Sequence, residues 1–144
     1  MLKKIKITIG ENDIKQKDVA MVNVLMKQLN PETKTASLKD VKAVMKSGTI
    51  VTLRKNGILI GMGTLVPIRK LFALCGNIED LVVEEKERGR GLGTKILQTI
   101  IKKSRKLGMK FVNFTSNPKR KKANELYATV GFKPRKTNVY GIKN

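Results

Sequence analysis

The chain of 144 residues contains no histidine and no tryptophan, and Cys75 is its only cysteine. Without histidine it cannot form a Ser-His-Asp or Cys-His catalytic group or a histidine-ligated metal site, so we expect no metal. Acid–base chemistry must then come from Asp, Glu, Tyr, Lys, a chain terminus or water. Because one cysteine cannot form an intramolecular disulfide, a reducing compartment is favoured, and we predict a cytoplasmic protein.

Long apolar runs are also missing. No segment approaches the ~20 apolar residues that cross a bilayer, so no membrane association is predicted. The stretch Met1–Lys6 carries charges with no apolar core behind them and does not resemble a secretory signal. Apolar residues make up 40% of the chain, which is enough for one core. We therefore predict a single domain over residues 1–144.

Acidic residues are scarce: 31 Lys and Arg residues stand against 11 Asp and Glu, a formal net charge of +20. A field of that sign attracts polyanions. It can indicate a nucleic acid surface, attraction of an anionic small molecule, or a lysine-rich composition without a partner. The lysines are spread along the chain, with one cluster at residues 119–122. Two tyrosines and four phenylalanines supply base stacking poorly, so only nonspecific nucleic acid association is predicted.

Hydrophobic periodicity predicts an α/β (α+β) domain with a mixed, mostly antiparallel twisted sheet and about four helices. Alternating isoleucines predict a first strand around residues 5–9. Two helices follow: Asp18 is predicted to cap the first, and Ser37 with Asp40 forms a capping box for the second, which ends at Gly48.

The second half of the sheet is predicted from strands and one clear turn. Asn56-Gly57 favours a hairpin turn between strands 50–53 and 58–66, the latter stopped by Pro67. A long strand over residues 71–83 is predicted to be interrupted near Gly76-Asn77 by a bulge. Later elements are expected in this order: helix 92–107, strand 111–114, helix 119–130 and a final strand over 137–142.

Residues 81–97 combine a strand, a glycine-rich turn and a helix. Glycines at alternate positions let a ligand approach the backbone N–H groups, and the helix start presents unpaired N–H groups. We predict a pyrophosphate site here, with a tight turn that binds nothing as the alternative. The spacing matches neither G-x-x-x-x-G-K-[ST] nor G-x-G-x-x-G. The residues concerned are Gly89, Gly91 and Gly93, with Arg88, Arg90 and Lys95 adding charge.

Two motifs carry a family resemblance. Arg88-x-x-Gly91-x-Gly93 resembles the acetyl-CoA signature [RQ]-x-x-G-x-[GA] of the GNAT superfamily of N-acetyltransferases. Residues 123–132, A-N-E-L-Y-A-T-V-G-F, resemble the superfamily's A-x-x-L-Y-x-x-x-G-F, in the expected order and separation. The chain also resembles a bacterial-type branch with an I-E-D-[LV]-V-V strand, a T-S-x-P turn and a T-N-V-Y ending, here residues 78–83, 115–118 and 137–140.

The resemblance implies the GNAT acyltransferase fold and direct transfer of an acetyl group from acetyl-CoA to a primary amine in a ternary complex. The pantetheine arm is expected beside the backbone of Leu81, Val82 and Val83, with Asn117 or Asn124 on its other side. The cluster at residues 119–122 would meet the 3′-phosphate or simply be solvated. The pyrophosphate would contact the loop residues Arg88, Gly89, Arg90, Gly91, Leu92, Gly93 and Thr94.

The resemblance also assigns catalytic roles. Tyr127 matches the superfamily's tyrosine beside the sulfur and is the candidate general acid, a core aromatic being the alternative. Glu79 is the candidate base, acting through water, and the Leu81 N–H would bind the oxyanion. Because Glu79 and Asp80 are neighbours on a strand, we expect them on opposite faces, with only one facing the cleft.

The acceptor is less defined. In the superfamily its site is built from the N-terminal helices and their loop, here about residues 25–38, which hold no aromatic cage and few acids. A polyamine is therefore disfavoured, whereas a protein N-terminus or lysine, an amino sugar and a small amine stay open. An inactive basic module that binds nucleic acid or a nucleoprotein is the alternative function, and the protein is expected to be a monomer or homodimer.

Overall fold

A computed structural model describes residues 4–144. Residues 1–3, which belong to the N-terminal stretch and to the predicted domain, lie outside this range. Short 3-10 helices cover Gln16–Asp18 and Glu85–Glu87. The helices and strands are, in chain order, β1 Ile7–Glu11, α1 Val19–Leu29, α2 Leu38–Ser47, β2 Thr49–Lys55, β3 Ile58–Arg69, β4 Leu74–Val83, α3 Leu92–Lys106, β5 Val112–Asn113 and α4 Lys121–Val130.

The five described strands form one sheet in the order β1-β2-β3-β4-β5. The first three pairings are antiparallel, and β4 pairs with β5 in parallel. A mixed, mostly antiparallel sheet with four helices confirms the predicted fold class. No helix among residues 4–144 has the length and apolar character needed to cross a bilayer.

Helices cover both faces of the sheet, because its strands alternate between two apolar clusters. On β2, Ile50 faces α1 and α2, whereas Val51 faces α3 and α4. The first cluster includes Val22, Leu25, Val41, Met62 and Val82. In α3 the buried residues recur at helical spacing along one side, which packs on the second cluster: Leu92, Ile96, Leu97 and Ile100.

The local signals at α2 and the hairpin are confirmed. Ser37 N donates to Asp40 Oδ2 at 2.7 Å, and Asp40 N donates to Ser37 Oγ at 3.3 Å, which completes the capping box. Asn56 and Gly57 take φ angles of 51° and 82°, as the tight turn requires.

Asp18 precedes α1, but its side chain does not cap the helix. Its carboxylate instead accepts from the Lys15 N–H at 2.9 Å and from Arg54 Nη1 at 2.8 Å. The predicted cap is therefore wrong. A buried carboxylate gains more from a guanidinium than from a helix N–H, because the bond to a cation is charge-assisted at both ends.

Pro67 does not stop β3, which continues to Arg69. Pro67 pairs with Gly76, whose N–H donates to the Phe111 carbonyl on the other side of β4. The pair thus lies at a position without mutual hydrogen bonds. On the other side of β3, β2 begins at Thr49 opposite Leu65, so no residue of β2 pairs with Pro67. The missing proline N–H leaves no ladder bond unmade, so the strand passes through it.

The predicted final strand over residues 137–142 is absent, since that segment has no strand assignment. Val139, Tyr140 and Ile142 are 76%, 87% and 89% exposed. The apolar alternation is present, but β5 pairs over only two residues and offers little edge to extend. Alternation without a partner strand leaves the backbone solvated.

Candidate active site

A bulge interrupts β4 near its middle. Thr64 on β3 pairs with Glu79, but Met62 pairs with Val82, so two residues of β4 stand opposite the single residue Gly63. Asp80 has a φ of 52°, an angle that Asp tolerates better than most residues. The predicted bulge at Gly76-Asn77 is therefore misplaced, and both of those residues pair regularly with β3.

The bulge puts Glu79 and Asp80 on the same face of the sheet. Paired residues share a face, so Glu79 lies on the side of Thr64. Asp80 lines the same cavity as Thr64. The expectation of opposite faces is wrong because the extra residue cancels the alternation at this point.

The pKa values of both carboxyls are raised. Burial raises the pKa of Asp80 above its usual range. Burial also raises the pKa of Glu79, and the charge of Asp80 adds to that effect. Glu79 is the more exposed of the two. A more solvated carboxyl with a raised pKa, beside a more enclosed one, suits a base that accepts a proton through water.

An open cavity of about 320 Å³ lies between the α1–α2 layer and the sheet. Helices α1 and α2, together with the loop between them at Thr33, Lys34 and Ala36, form its outer wall. The sheet side includes Thr64 and Asp80. This is the region where an acceptor site is expected, and the bulge delivers a carboxylate into it.

On the other side of the bulge, β4 has an open edge. Its parallel pairing with β5 covers only Gly76 and Asn77, so within the described chain no strand pairs with residues 78–83 on that side. The Val83 carbonyl faces this gap, because it accepts from Arg88 Nε at 2.9 Å. Backbone groups alternate along a strand, so those of Val82 face β3 and those of Leu81 face the gap. Of the three predicted pantetheine contacts, Leu81 and Val83 therefore face the gap, although the Val83 carbonyl already accepts from Arg88.

The loop after β4 leads into α3 through glycines. Gly89 and Gly91 have φ angles of 79° and 73°, and Gly91 is the N-cap of α3. Gly93 lies within the first turn, where an added Cβ would meet Leu126 and Val83 at 3.7 and 3.9 Å. The first N–H groups of α3, including those of Leu92, Gly93 and Thr94, precede the first intrahelical bond, from Lys95 N to the Gly91 carbonyl. They can cradle a pyrophosphate.

The loop's arginines are already engaged. Arg88 is held against the end of β4 by its bond to Val83. Arg90 Nη1 lies 3.0 Å from Glu87 Oε2, and Lys55 Nζ lies 2.7 Å from Glu87 Oε1. The Lys55 bond keeps the pKa of Glu87 below its usual range. An incoming anion would therefore compete with Glu87 for Arg90, a contact that the sequence pattern did not indicate.

Tyr127 is buried in the cluster shared with α3. Its ring meets Phe114 edge to face, with centroids 4.5 Å apart, and Phe114 packs in the same way on Phe132. Within residues 4–144 no hydrogen-bond partner is found for the Tyr127 hydroxyl, whose residue is 8% exposed. The ring thus has a packing role, while the hydroxyl is left without a protein partner.

The two candidate asparagines lie close together at the β5–α4 connection. Asn124 Nδ2 donates to the Asn117 carbonyl at 3.1 Å, and Asn117 Oδ1 accepts from Lys119 N at 2.9 Å. These bonds shape the turn that starts α4. Ser116 Oγ, just before it, is buried and lacks a partner in the described part of the chain. Within residues 4–144, no group of three acidic or cysteine side chains is placed so that it could hold a metal ion.

Residues 19–132 match the model of the acetyltransferase (GNAT) family. The chain belongs to the GNAT family. No curated protein matches it. As a member of this family it is an acetyl-CoA-dependent N-acetyltransferase, and the amine that it acetylates is a separate question.

Solved structures of acetyltransferases resemble nearly the whole chain. A putative acetyltransferase from Agrobacterium tumefaciens is 21% identical, with a TM-score of 0.80 and coverage of 95% of this chain and 99% of its own. Glucosamine-6-phosphate N-acetyltransferase from Arabidopsis thaliana is 18% identical, with a TM-score of 0.77 and coverage of 99% and 100%. An aminoglycoside N-acetyltransferase in complex with CoA is 14% identical, with a TM-score of 0.81 and coverage of 99% of both chains. At these identities the likeness shows the fold.

Proposed function

We propose that this GNAT enzyme acetylates a primary amine that enters the cavity beside Asp80, using Glu79 and Tyr127 for the two proton transfers. The observation that carries the proposal is the bulge in β4. It places Asp80 in the acceptor cavity and Glu79 on the same face of the sheet, and the next residues, Leu81 to Val83, form the open edge of the strand. Amine and thioester would thus approach the same point of one strand from opposite sides.

Binding of acetyl-CoA is assigned to three parts of the chain. The open edge at Leu81 and Val83 would pair with the pantetheine amides. Loop and helix residues from Arg88 to Thr94, including Gly89, would surround the pyrophosphate. Asn117 and Asn124, whose mutual bond leaves the Asn117 amide nitrogen and the Asn124 amide oxygen without a described partner, would contact the arm from the α4 side.

The chemistry then needs few groups. The ammonium loses one proton through a water held by Glu79, and its nitrogen attacks the thioester carbonyl. The Leu81 N–H stabilises the oxyanion as the C–N bond forms. As the C–S bond breaks, Tyr127 donates a proton to the sulfur and regains one from the new amide nitrogen. Nitrogen loses two protons, sulfur gains one, and one proton is released to water.

Calorimetry with acetyl-CoA and a thiol-release assay test this function. Gly91→Glu places a carboxylate where the pyrophosphate is expected, and it should abolish saturable binding. Gly57→Glu is the matched control, since Gly57 also has a positive φ and open space around its Cα but lies in the distant hairpin turn. Absence of acetyl-CoA binding to the unmodified protein would contradict the proposal. The narrower bacterial-type branch stays a prediction.

A second candidate function is nonspecific association with single-stranded nucleic acid. Residues 88–144 hold 16 of the 31 basic residues but only one of the 11 acidic ones. Lys70 Nζ and the Arg135 guanidinium lie 5.1 and 5.6 Å from the centroid of the Phe111 ring. Phe111 lines a cavity together with Arg105 and Lys110. Basic surfaces that carry aromatic rings favour single strands.

Fluorescence anisotropy with labelled oligouridylate and oligothymidylate, at several salt concentrations, tests the second candidate. Phe111→Leu should weaken binding at least about threefold, because a stacking face is lost while the charge is kept. Leu107→Ala, an exposed site that only removes apolar surface, should not. Equal affinities for Phe111→Leu and the unmodified protein would leave net charge alone as the cause of association.

A further inference from the structure

The acceptor cavity is mainly apolar, although the protein around it is highly charged. Eight of the thirteen side chains that line it are aliphatic or Met. They come from both helices and from the sheet, among them Met26, Val44 and Met62. Its volume of about 320 Å³ is at the small end of the range for ligand pockets, roughly 300 to 1,000 Å³.

Only one carboxylate in this cavity is free to meet an amine. Asp40 also lines it, but its Oδ2 accepts from both the backbone N–H and the hydroxyl of Ser37. Asp80 has no hydrogen-bond partner within residues 4–144, and neither has the hydroxyl of Thr64, which is 2% exposed. A carboxylate and a hydroxyl without partners, which line the same cavity from neighbouring strands, can bind a single ammonium group.

The cavity carries one positive charge in its wall. Lys34, in the loop between α1 and α2, lines the cavity and is exposed. The chain's net charge of +20 adds a long-range field of the same sign. A ligand with several ammonium groups would be repelled on approach and would find one free carboxylate, whereas a monoamine keeps its one ion pair.

We infer that the acceptor is a primary monoamine attached to a compact apolar group about the size of an aliphatic amino-acid side chain, neutral or anionic elsewhere. The ammonium pairs with Asp80 and Thr64 at the sheet, and the apolar group packs against Met26, Val44 and Met62. Polyamines and aminoglycosides are excluded as efficient acceptors. This inference rests on the proposed function, because it concerns the acceptor of the same reaction.

The test compares three amines in the thiol-release assay at fixed acetyl-CoA: L-leucinamide, glycinamide and spermidine. L-leucinamide should give a kcat/KM at least about tenfold above that of glycinamide, because its side chain fills the apolar pocket. Spermidine should fall below both. Glycinamide equal to L-leucinamide, or spermidine as the best acceptor, would overturn the inference.

Two variants on α2 locate the effect. Val44→Phe fills part of the cavity, so it should remove most of the advantage of L-leucinamide. Ala43→Phe adds a similar ring to an exposed neighbouring site outside the cavity and should keep the advantage. Acetyl-CoA calorimetry on each variant shows that it is folded, and the ranking of amines by the unmodified protein does not depend on either.

The proposed function and the inferred acceptor class can be contradicted by different results. If acetyl-CoA does not bind, the proposed function itself is wrong. If acetyl-CoA binds but L-leucinamide releases no thiol, the coenzyme half stands and the apolar monoamine is excluded as acceptor. A loss of the L-leucinamide advantage in Ala43→Phe as well as in Val44→Phe would show that the preference does not come from this cavity.

Discussion

Arg54 on β2 donates to both carboxylate oxygens of Asp18, at 2.8 and 3.1 Å, from its two terminal nitrogens. The guanidinium also contacts Asp13, with Nη2 3.4 Å from Oδ1. Asp18 is buried directly before α1, so this ion pair fixes the start of that helix against the sheet. The Arg54 bond holds the pKa of Asp18 below its usual range.

Asp18→Asn should lower the free energy of unfolding at pH 7 by about 2 kcal/mol, because charge-assisted hydrogen bonds are lost in a buried place. A carboxyl with a depressed folded pKa stabilises the fold above its unfolded pKa, near 3.9, and loses that effect as pH falls through the folded value. Urea unfolding should therefore show the deficit shrinking below about pH 4. Glu32→Gln, an exposed acid, is the control and should show no deficit.

Gly91→Ala and Gly93→Ala should differ in stability and in binding. Alanine at position 91 would have to adopt the left-handed φ of 73°, which costs about 1–2 kcal/mol and disturbs the helix start. Alanine at position 93 meets Leu126 and Val83 at ordinary contact distances. We expect weaker acetyl-CoA binding and a lower Tm only for Gly91→Ala, by calorimetry and thermal unfolding. Equal behaviour of the two variants would contradict this.

Tyr127→Phe should leave stability nearly unchanged, since no described hydrogen bond holds the hydroxyl and the ring contact with Phe114 is kept. If Tyr127 protonates the leaving sulfur, kcat should fall by roughly 10²-fold while acetyl-CoA affinity is retained. Thiol release and calorimetry measure the two quantities. A fully active Tyr127→Phe would reduce the residue to a packing role.

The acidic limb of the pH–rate profile should belong to Glu79. Burial and the charge of Asp80 raise its pKa, so kcat at saturating amine should fall as pH decreases through a value above the usual pKa of Glu. Asp80→Asn removes the neighbouring charge, which should move this limb to lower pH and raise the KM for the amine. Glu79→Gln should remove the limb. A limb unaffected by Glu79→Gln would exclude this residue as the base.

Asp80→Asn should also raise the Tm at pH 7. A carboxyl whose folded pKa lies above its unfolded pKa opposes folding once it is ionised, so its removal relieves that cost at neutral pH. Asparagine also tolerates the φ of 52° at this position. Thermal unfolding at pH 7 checks the shift, and Asp40→Asn is the contrasting control: its pKa is lowered by the Ser37 bonds, so the Tm should fall.

Local signals in the sequence predicted most of the fold. The capping box at Ser37 and the Asn56-Gly57 turn depend on neighbouring residues only, and both are confirmed. Asp18 was mispredicted because its partner, Arg54, is 36 residues away. Similarly, alternation alone cannot show that the segment around Tyr140 lacks a partner strand.

The site depended on the same distinction. The loop at Gly91 and its ligand class follow from a contiguous motif. The bulge at Asp80 depends on how β3 and β4 pair. From local sequence alone, Gly76 and Asn77 are better candidates for an irregular strand, which is why the bulge was predicted there. Both residues nevertheless pair regularly, because each has a partner on β3 and another on β5.

The two halves of β4 are out of phase by one residue. Upstream of Asp80 the strand matches β3 in one frame, and downstream it matches in the next. Removal of a single residue here would bring both halves into one frame, with every apolar side chain still directed to its own layer. Such a protein would retain the architecture of an acetyltransferase while losing the bulge on which the proposed catalysis depends. One residue of β4 can thus be dispensable for folding and required for the proposed activity.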